Sequence, residues 1–295
     1  MRANPHLAGI GFGLLAYGIW GFFPLFFRQL AHVPPMDVLS NRAVWACVFV
    51  GLLLTLGGGW SKVVAVFRAP RQLAMLALAA LLVSSNWLMF LWAVANQQVV
   101  ASSLGYFLTP LVNVVLGLVV LKERLNRLEW IAVGLALAAI VNEVITLGSL
   151  PWVSLFLAAT FGTYGLVRKQ VPVDALSGLW LETLAMLPLC GIYALWMAQT
   201  GHTVFAGHDP STATLLVGAG IITALPLMAF AAATQRLDLA TVGMLMYINP
   251  TMQFVTAVWI FGEPLQTARL VSFALIWLGL FAFSWSMWEK YRDRR

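Results

Sequence analysis

Ten long apolar runs, separated by short stretches containing polar residues, glycine or proline, are the feature that most restricts how this chain can fold. Only 9% of the 295 residues are charged and 61% are hydrophobic, whereas a soluble domain has about 25% charged and roughly 45–50% apolar residues. So few charged side chains cannot cover a water-soluble surface. The sequence therefore excludes a soluble globular enzyme, a disordered chain and a disulfide-stapled secreted domain.

The runs are long enough to be membrane-spanning helices, which need about 20 residues to cross the hydrocarbon core. Their even apolarity excludes barrel strands, in which about 10 residues alternate in polarity. The first run is too long for a signal-peptide core and no small-residue cleavage site follows it, so we interpret it as a real crossing. We therefore predict an all-α integral membrane protein with ten transmembrane helices. The runs are 7–29, 37–56, 72–95, 99–121, 128–146, 150–168, 178–198, 212–235, 239–261 and 268–288.

The basic residues predict the orientation of these helices, because cytoplasmic loops carry an excess of Lys and Arg. With the N-terminus inside, all but three of the 17 Lys and Arg residues fall on the cytoplasmic side; the exceptions are Arg28, Arg42 and Arg269. Both termini are therefore expected in the cytoplasm. The basic residues of the predicted cytoplasmic segments account for the net charge of +6. The sequence contains no clustered basic face of the kind that binds nucleic acid.

The chemistry of most enzymes and metalloproteins has no counterpart in the sequence. No Walker A pattern is present, so ATP hydrolysis by a P-loop is excluded. Cys47 and Cys190 lie inside crossings, where two lone thiols make neither a disulfide framework nor a metal site. The four histidines lack metal-ligand spacing and none lies inside a crossing. We expect no cofactor, no metal and no catalytic residues.

The second half of the chain repeats the first at an offset of 140 residues, which aligns Pro110 with Pro250. Identities are few, but basic residues of the first half, such as Lys122 and Arg127, align with uncharged residues of the second half. Five helices in each half, an odd number, place the second half upside down. We therefore predict two inverted repeats, residues 1–147 and 148–295, an arrangement typical of secondary transporters.

Pro110 and Pro250 lie midway along the fourth and ninth runs and predict a pair of interrupted helices. Matching interruptions in two halves are the best sequence pointer to a substrate site, although a packing kink without a ligand is the alternative. Amides and aromatic side chains recur at helical spacing on one face of several runs, and such a lining suits a moderately sized, partly apolar ligand. The alternative for each of these residues is interhelical packing or an interfacial position. The candidate cavity residues are Tyr17, Trp20, Arg42, Asn86, Trp87, Tyr106, Asn113, Tyr164, Tyr247, Asn249 and Gln253.

Three charged residues inside the apolar runs remain as functional candidates: Arg42, Glu143 and Glu182. We expect Arg42 to attract an anionic substrate group or to lock the outer gate, and Glu182 to carry a coupling proton. Structural polar clusters are the alternative for both. At a rise of about 1.5 Å per residue, Arg42 and Glu182 differ in height by roughly 15 Å, so a direct salt bridge is not expected.

The residues also resemble a known family. Segments 40–45, 86–94, 103–107, 110–117, 164–169 and 248–251 look like those of RarD proteins, in the EamA group of the drug/metabolite transporter superfamily. The resemblance covers nearly the whole chain. It implies two inverted EamA-like repeats, a bacterial cytoplasmic (inner) membrane, and export of small metabolites or drugs. It further implies roles for Arg42, Asn86, Tyr106 and Glu182.

The preferred function is therefore secondary active export by alternating access, with proton coupling as the expected driving force. A facilitative channel or uniporter for a small solute is the alternative. An intramembrane enzyme is less favoured, because the sequence offers no intramembrane His and no carboxylate cluster at depth. The expected partners are a small-molecule substrate and the lipid bilayer, with the protein working as a monomer or weak homodimer.

Overall fold

The computed structural model describes residues 5–120, 125–205, 209–234, 236–237 and 245–292. Every regular element in these ranges is a helix, which confirms the predicted all-helical class. The first half contains α1 (Pro5–Gly21), α2 (Phe23–Arg28), α3 (Pro35–Leu56), α4 (Trp60–Phe67), α5 (Pro70–Ala95), α6 (Val99–Val120) and α7 (Arg127–Leu147). The second contains α8 (Trp152–Lys169), α9 (Ala175–Ala198), α10 (Pro210–Thr234), α11 (Ile248–Val255), a π-helical turn (Thr256–Ile260) and α12 (Thr267–Arg292).

Local chemistry accounts for several helix starts. Asn126 accepts a hydrogen bond from the backbone N–H of Glu129, and the Glu129 carboxylate accepts one from the Asn126 N–H, so a capping box opens α7. Asp174 caps α9 by accepting from the Ser177 N–H. Proline stands at the start of α3, α5 and α10, where its missing N–H leaves no helical bond unmade.

The lengths and surfaces of the helices fit a lipid environment. Ile145, Leu195 and Phe281 are 76%, 72% and 67% exposed, on a surface whose apolar area would be a liability in water. The chain is therefore an integral membrane protein. Seven spans among the described residues are long and apolar enough to cross a membrane: His6–Arg28, Pro35–Leu56, Pro70–Ala95, Arg127–Thr146, Ala175–Ala198, Pro210–Phe230 and Arg269–Ser286.

The number of ten crossings and the cytoplasmic location of the termini stay predictions. The ninth predicted run falls partly on residues 239–244, which lie outside the described residues. The basic residues Lys122 and Arg124, used for the orientation, also lie outside them.

The segment 57–71, which connects the second and third predicted runs, contains the short helix α4. The Trp60 ring of α4 contacts the Trp180 ring of α9 with centroids 4.8 Å apart, and Lys62 lies 3.8 Å from the Asp174 carboxylate. Polar and charged residues interrupt the apolar pattern of this segment, but packing against α9 stabilises a helix there.

Two helices pair at the edge of the bundle and the others form its centre. α7 packs chiefly against α12, whereas α3, α5, α6 and α10 each contact several neighbours. A continuous buried cluster draws on both halves of the chain; within it, the Phe273 ring of α12 packs against Phe254 of α11 at 4.5 Å and Phe107 of α6 at 5.9 Å. The two halves therefore share one core.

Candidate functional site

Arg42 of α3 is buried among aromatic rings in the bundle centre, with 2% of its surface exposed. Its Nε donates a hydrogen bond of 2.6 Å to the Thr223 hydroxyl of α10. The guanidinium carbon lies 3.9 Å from the centroid of the Trp87 ring and 5.3 Å from that of Phe27. Cation–π attraction holds the charge in place.

The charge of Arg42 is otherwise unmatched among the described residues. No described carboxylate lies within 4.0 Å of its guanidinium, and its Nη1 has no hydrogen-bond partner among the same residues. Because a guanidinium presents five N–H donors in a planar fork, this side chain still has donors available for a planar anion such as a carboxylate.

Trp87 and Tyr106 lie close to Arg42, and Asn86 is hydrogen-bonded to Tyr106. Tyr106 of α6 donates a 3.1 Å hydrogen bond to the Oδ1 of Asn86 on α5 and is close enough to Arg42 to interact with it electrostatically. The Asn86 Nδ2 donates to the Thr160 hydroxyl at 2.9 Å and to the backbone carbonyl of Leu157 at 3.0 Å, both on α8. The structure thus brings four predicted cavity residues together where α3, α5, α6 and α8 meet.

Glu182 of α9 forms a second polar cluster. Its carboxylate is 3.2 Å from the Nε of Arg168 and accepts a hydrogen bond of 3.2 Å from the Tyr164 hydroxyl. Glu182 is 2% exposed, so the ion pair is largely removed from solvent. A side chain at Gly178, one turn before Glu182 on α9, would overlap the Arg168 guanidinium. Glycine at this position therefore lets α8 and α9 approach closely.

Arg168 is a member of this cluster that sequence reasoning assigned only to topology. Its position four residues after Tyr164 places both side chains on the same face of α8. This spacing is the sequence signal that could have assigned Arg168 to the cluster. The direct Arg42–Glu182 contact judged improbable from helix heights is not observed, since the Glu182 carboxylate pairs with Arg168 instead.

Aromatic rings connect the two clusters. Phe161 of α8 packs against Tyr106 with ring centroids 5.9 Å apart and against Tyr164 at the same distance. A continuous wall of side chains therefore runs from Arg42 to Glu182. A third aromatic group lies on α1 and α10, where Tyr17 contacts Trp20 at 5.4 Å and Phe230 at 6.1 Å.

The two prolines occupy different helical contexts. α6 runs through Pro110 without a break, whereas Pro250 is the third residue of α11, just after a turn at Met246 and Tyr247. The expected pair of interruptions is thus observed only in the second half, where the π-helical turn after α11 adds a further irregularity. The Pro250 carbonyl accepts a 2.7 Å hydrogen bond from the Ser103 hydroxyl of α6.

The remaining candidates make no hydrogen bond or ion pair with Arg42 or Glu182 in the described part of the chain. The Gln253 Nε2 donates to the Asn249 Oδ1 at 2.8 Å within α11, and the Oε1 of the buried Gln253 has no hydrogen-bond partner among the described residues. Tyr247 interacts with Ser284 of the edge helix α12. Asn113 of α6 is exposed, with its amide oxygen next to Gly162 of α8.

Comparisons with known proteins agree with this architecture. The model of the EamA-like transporter family matches residues 7–142. An uncharacterized transporter of Pseudomonas aeruginosa is 43% identical to this chain, covering 96% of it and 95% of the relative. Protein RarD of Escherichia coli K12 is 40% identical over 96% of each chain. A solved crystal structure with a TM-score of 0.59 covers 96% of this chain and 98% of its own at 20% identity, which shows a shared fold alone. The chain therefore belongs to the RarD proteins of the EamA-like transporter family, in the drug/metabolite transporter superfamily, and is a membrane transporter.

Proposed function

We propose that this transporter is a secondary active exporter of small, partly apolar metabolites or drugs that carry an anionic group. The observation that supports this proposal best is the buried Arg42, surrounded by aromatic rings and paired with no described carboxylate. An uncompensated buried charge is costly, because the ion loses its hydration without regaining an equivalent partner. A substrate anion would supply that partner, and the rings around it would contact the apolar part of the substrate.

Ten crossings in two inverted repeats, residues 1–147 and 148–295, are the proposed architecture. Exchanging the halves turns α1 into α8, α3 into α9, α5 into α10, α6 into α11 and α7 into α12. The helix contacts follow this exchange: α5 packs on α8 as α10 packs on α1, and α6 packs on α8 as α11 packs on α1. α3 contacts α9 and α7 contacts α12, each pairing with its own counterpart.

Alternating access follows from such a design. Two similar halves in opposite orientations have two similar arrangements, one open to each side of the membrane. Since Arg42 lies on α3 and contacts Thr223 of α10, the proposed substrate position lies between the halves. Rocking of one half against the other would then expose Arg42 first to the cytoplasm and then to the outside.

Proton coupling is proposed for Glu182. A buried carboxylate beside a basic and a phenolic side chain can either form an ion pair or bind a proton. Intramembrane carboxylates of this kind mark proton relays in transporters. Protonation of Glu182 would release Arg168, and Gly178 leaves room for the guanidinium against α9. The proposed location is the bacterial cytoplasmic membrane with both termini inside, as a monomer or weak homodimer.

The experiment that tests the proposal uses purified full-length protein in proteoliposomes, with phenylpyruvate as the anionic aromatic probe and its neutral amide as the control ligand. We expect saturable phenylpyruvate flux that an imposed pH gradient drives uphill. A thermal-shift measurement on the same protein should show stabilisation by the anion and not by the amide.

Variants separate the two roles. Arg42→Gln should weaken the apparent affinity for the anion about tenfold, the equivalent of one charge-assisted hydrogen bond. Glu182→Gln should keep binding and lose the response to the pH gradient. Arg236→Gln is the matched control, because Arg236 also lies over an aromatic ring, Phe12, but is exposed. Unchanged transport in both test variants would contradict both roles.

A facilitative channel or uniporter is the second candidate function. The turn at Met246 and Tyr247 and the π-helical turn after α11 interrupt the regular helix, and irregular backbone at membrane depth occurs where it is buried in protein or lines a water-filled cavity. Under this alternative, phenylpyruvate flux would follow its own gradient and would be insensitive to an opposing pH gradient. Single-channel currents would distinguish a channel from a uniporter.

A further inference from the structure

A second polar site lies at one edge of the bundle, on elements that do not carry Arg42 or Glu182. It is a cavity of about 280 Å³ bounded by the ends of α6, α7, α8 and α12. Its polar lining includes Gln98, Glu143, Ser149, Ser154 and Arg269. In the predicted topology all of these residues lie towards the outer surface of the membrane.

Glu143 is the residue that makes this cavity unusual. It lies one turn before the end of α7 and is 2% exposed, yet neither of its carboxylate oxygens accepts a hydrogen bond from the described residues. The Arg269 Nε is 3.6 Å from the Oε2, close enough for ion pairing but too far for a hydrogen bond. Buried side-chain oxygens in folded proteins normally have at least one hydrogen-bond partner, so this carboxylate is expected to bind one.

The missing partner must donate hydrogen bonds, because an ionised carboxylate can only accept them. A primary ammonium group carries three N–H donors and a positive charge, and it satisfies both oxygens at once. Arg269 stands beside the carboxylate and favours an anionic group next to the ammonium. The site is therefore complementary to a zwitterion that carries an amine and a phosphate or carboxylate.

The rim of the cavity indicates where such a zwitterion comes from. Leu150 and Trp152 line the cavity and are 56% and 49% exposed, and Ile145, on the last turns of α7, is 76% exposed. Exposed apolar side chains accommodate acyl chains, and tryptophan is enriched at the level of lipid headgroups. The polar lining lies at helix ends, which is the depth of the headgroup region.

We propose that the cavity between Glu143 and Arg269 binds the headgroup of an amine-bearing phospholipid, the phosphatidylethanolamine class, with its ammonium on Glu143 and its phosphate on Arg269. The lipid headgroup then completes the α7–α12 edge of the bundle. This site is independent of the substrate position at Arg42.

Native mass spectrometry of the full-length protein in detergent tests the proposal, with phosphatidylethanolamine and phosphatidylcholine of identical acyl chains as probes. The choline headgroup has the same charge but no N–H donor. We expect wild-type protein to bind phosphatidylethanolamine about tenfold more tightly than phosphatidylcholine, as expected for charge-assisted hydrogen bonds. Glu143→Gln should bind both lipids equally, whereas Glu289→Gln, on the far end of α12, should keep the preference.

The comparison of the two lipids on wild-type protein does not depend on whether Glu143→Gln folds, and Arg269→Gln provides a second variant that should reduce the preference. Equal binding of the two lipids by wild-type protein would overturn the proposal. Equal lipid binding together with Glu143-dependent binding of free phosphoethanolamine would overturn the lipid assignment and give the site a soluble zwitterion instead. The readout is binding, so neither result depends on the proposed transport function.

Discussion

At the scale of single residues, Asp37 resembles an ordinary helix-start residue in the sequence, but in the structure it connects several segments of the chain. It lies in the first turn of α3 and is completely buried. Its carboxylate accepts 2.6 Å hydrogen bonds from the Tyr193 hydroxyl and from the His202 Nε2. The neighbouring Asn41 donates to the Val204 carbonyl at 2.8 Å. These contacts attach the end of α9 and the following segment to α3.

We expect Asp37→Asn to destabilise the protein by about 1–3 kcal/mol, because the amide presents a donor where both neighbours donate. The measurement is thermal or denaturant unfolding in detergent. His202→Ala provides the matched partner for a double-mutant cycle, in which the two substitutions should be strongly non-additive. Fully additive effects would show that the Asp37–His202 contact contributes nothing.

At the scale of elements, Glu263 differs from what its sequence position suggests. From sequence we expect it to accept backbone N–H bonds at the start of the last helix, near Thr267. The structure shows instead that its two oxygens accept 2.8 Å hydrogen bonds from the Val99 and Val100 N–H groups at the start of α6. A carboxylate there complements the positive end of the helix dipole. The second half of the chain thus caps a helix of the first.

We expect Glu263→Ala to leave two backbone donors of α6 unsatisfied and to cost about 0.5–2 kcal/mol, the usual effect of removing an N-cap. Hydrogen exchange should accelerate at the amides of Val99 and Val100. Glu263→Gln keeps one acceptor and should show a smaller acceleration. If exchange at these two amides is unchanged in Glu263→Ala, the capping role is contradicted.

At the scale of the whole molecule, the predicted orientation places the α8–α9 connection in the cytoplasm and the segment after α9 outside. We expect Gln170→Cys to react with a membrane-impermeant maleimide only after the membrane is opened, and Thr200→Cys to react in intact spheroplasts. Both positions are exposed. The native Cys47 and Cys190 are buried and should give little background. The reverse labelling pattern would contradict cytoplasmic termini.

Much of the architecture is predictable from the sequence because lipid restricts the solutions. A chain with this hydropathy must satisfy its backbone groups within helices, and the apolar runs locate α3, α5 and α7 to within a few residues. The helix α4 is an exception, since a short amphipathic segment forms a helix only when a neighbour, here α9 through Trp180, supplies the packing.

The candidate site is less predictable, because residue type does not specify a partner. Helical spacing places Asn86 and Tyr106 on candidate cavity faces, a charge inside an apolar run singles out Arg42, and helix height argues against an Arg42–Glu182 pair. Spacing cannot show that the Trp87 ring lies 3.9 Å from the Arg42 guanidinium carbon or that Arg168 pairs with Glu182. Those contacts join different helices, and only the packing of the helices brings them together.

The sequence by itself therefore determines that the chain is helical and lies in a membrane, since both follow from the shortage of charge and the length of the apolar runs. Only the tertiary structure decides what each buried charge meets. Arg42 is held by aromatic rings and a hydroxyl, Glu182 is paired with a cation, and no described residue donates a hydrogen bond to the Glu143 oxygens. The reason is physical: hydrophobic burial depends on composition and period, whereas ion pairs and hydrogen bonds depend on distances between helices that no local pattern encodes.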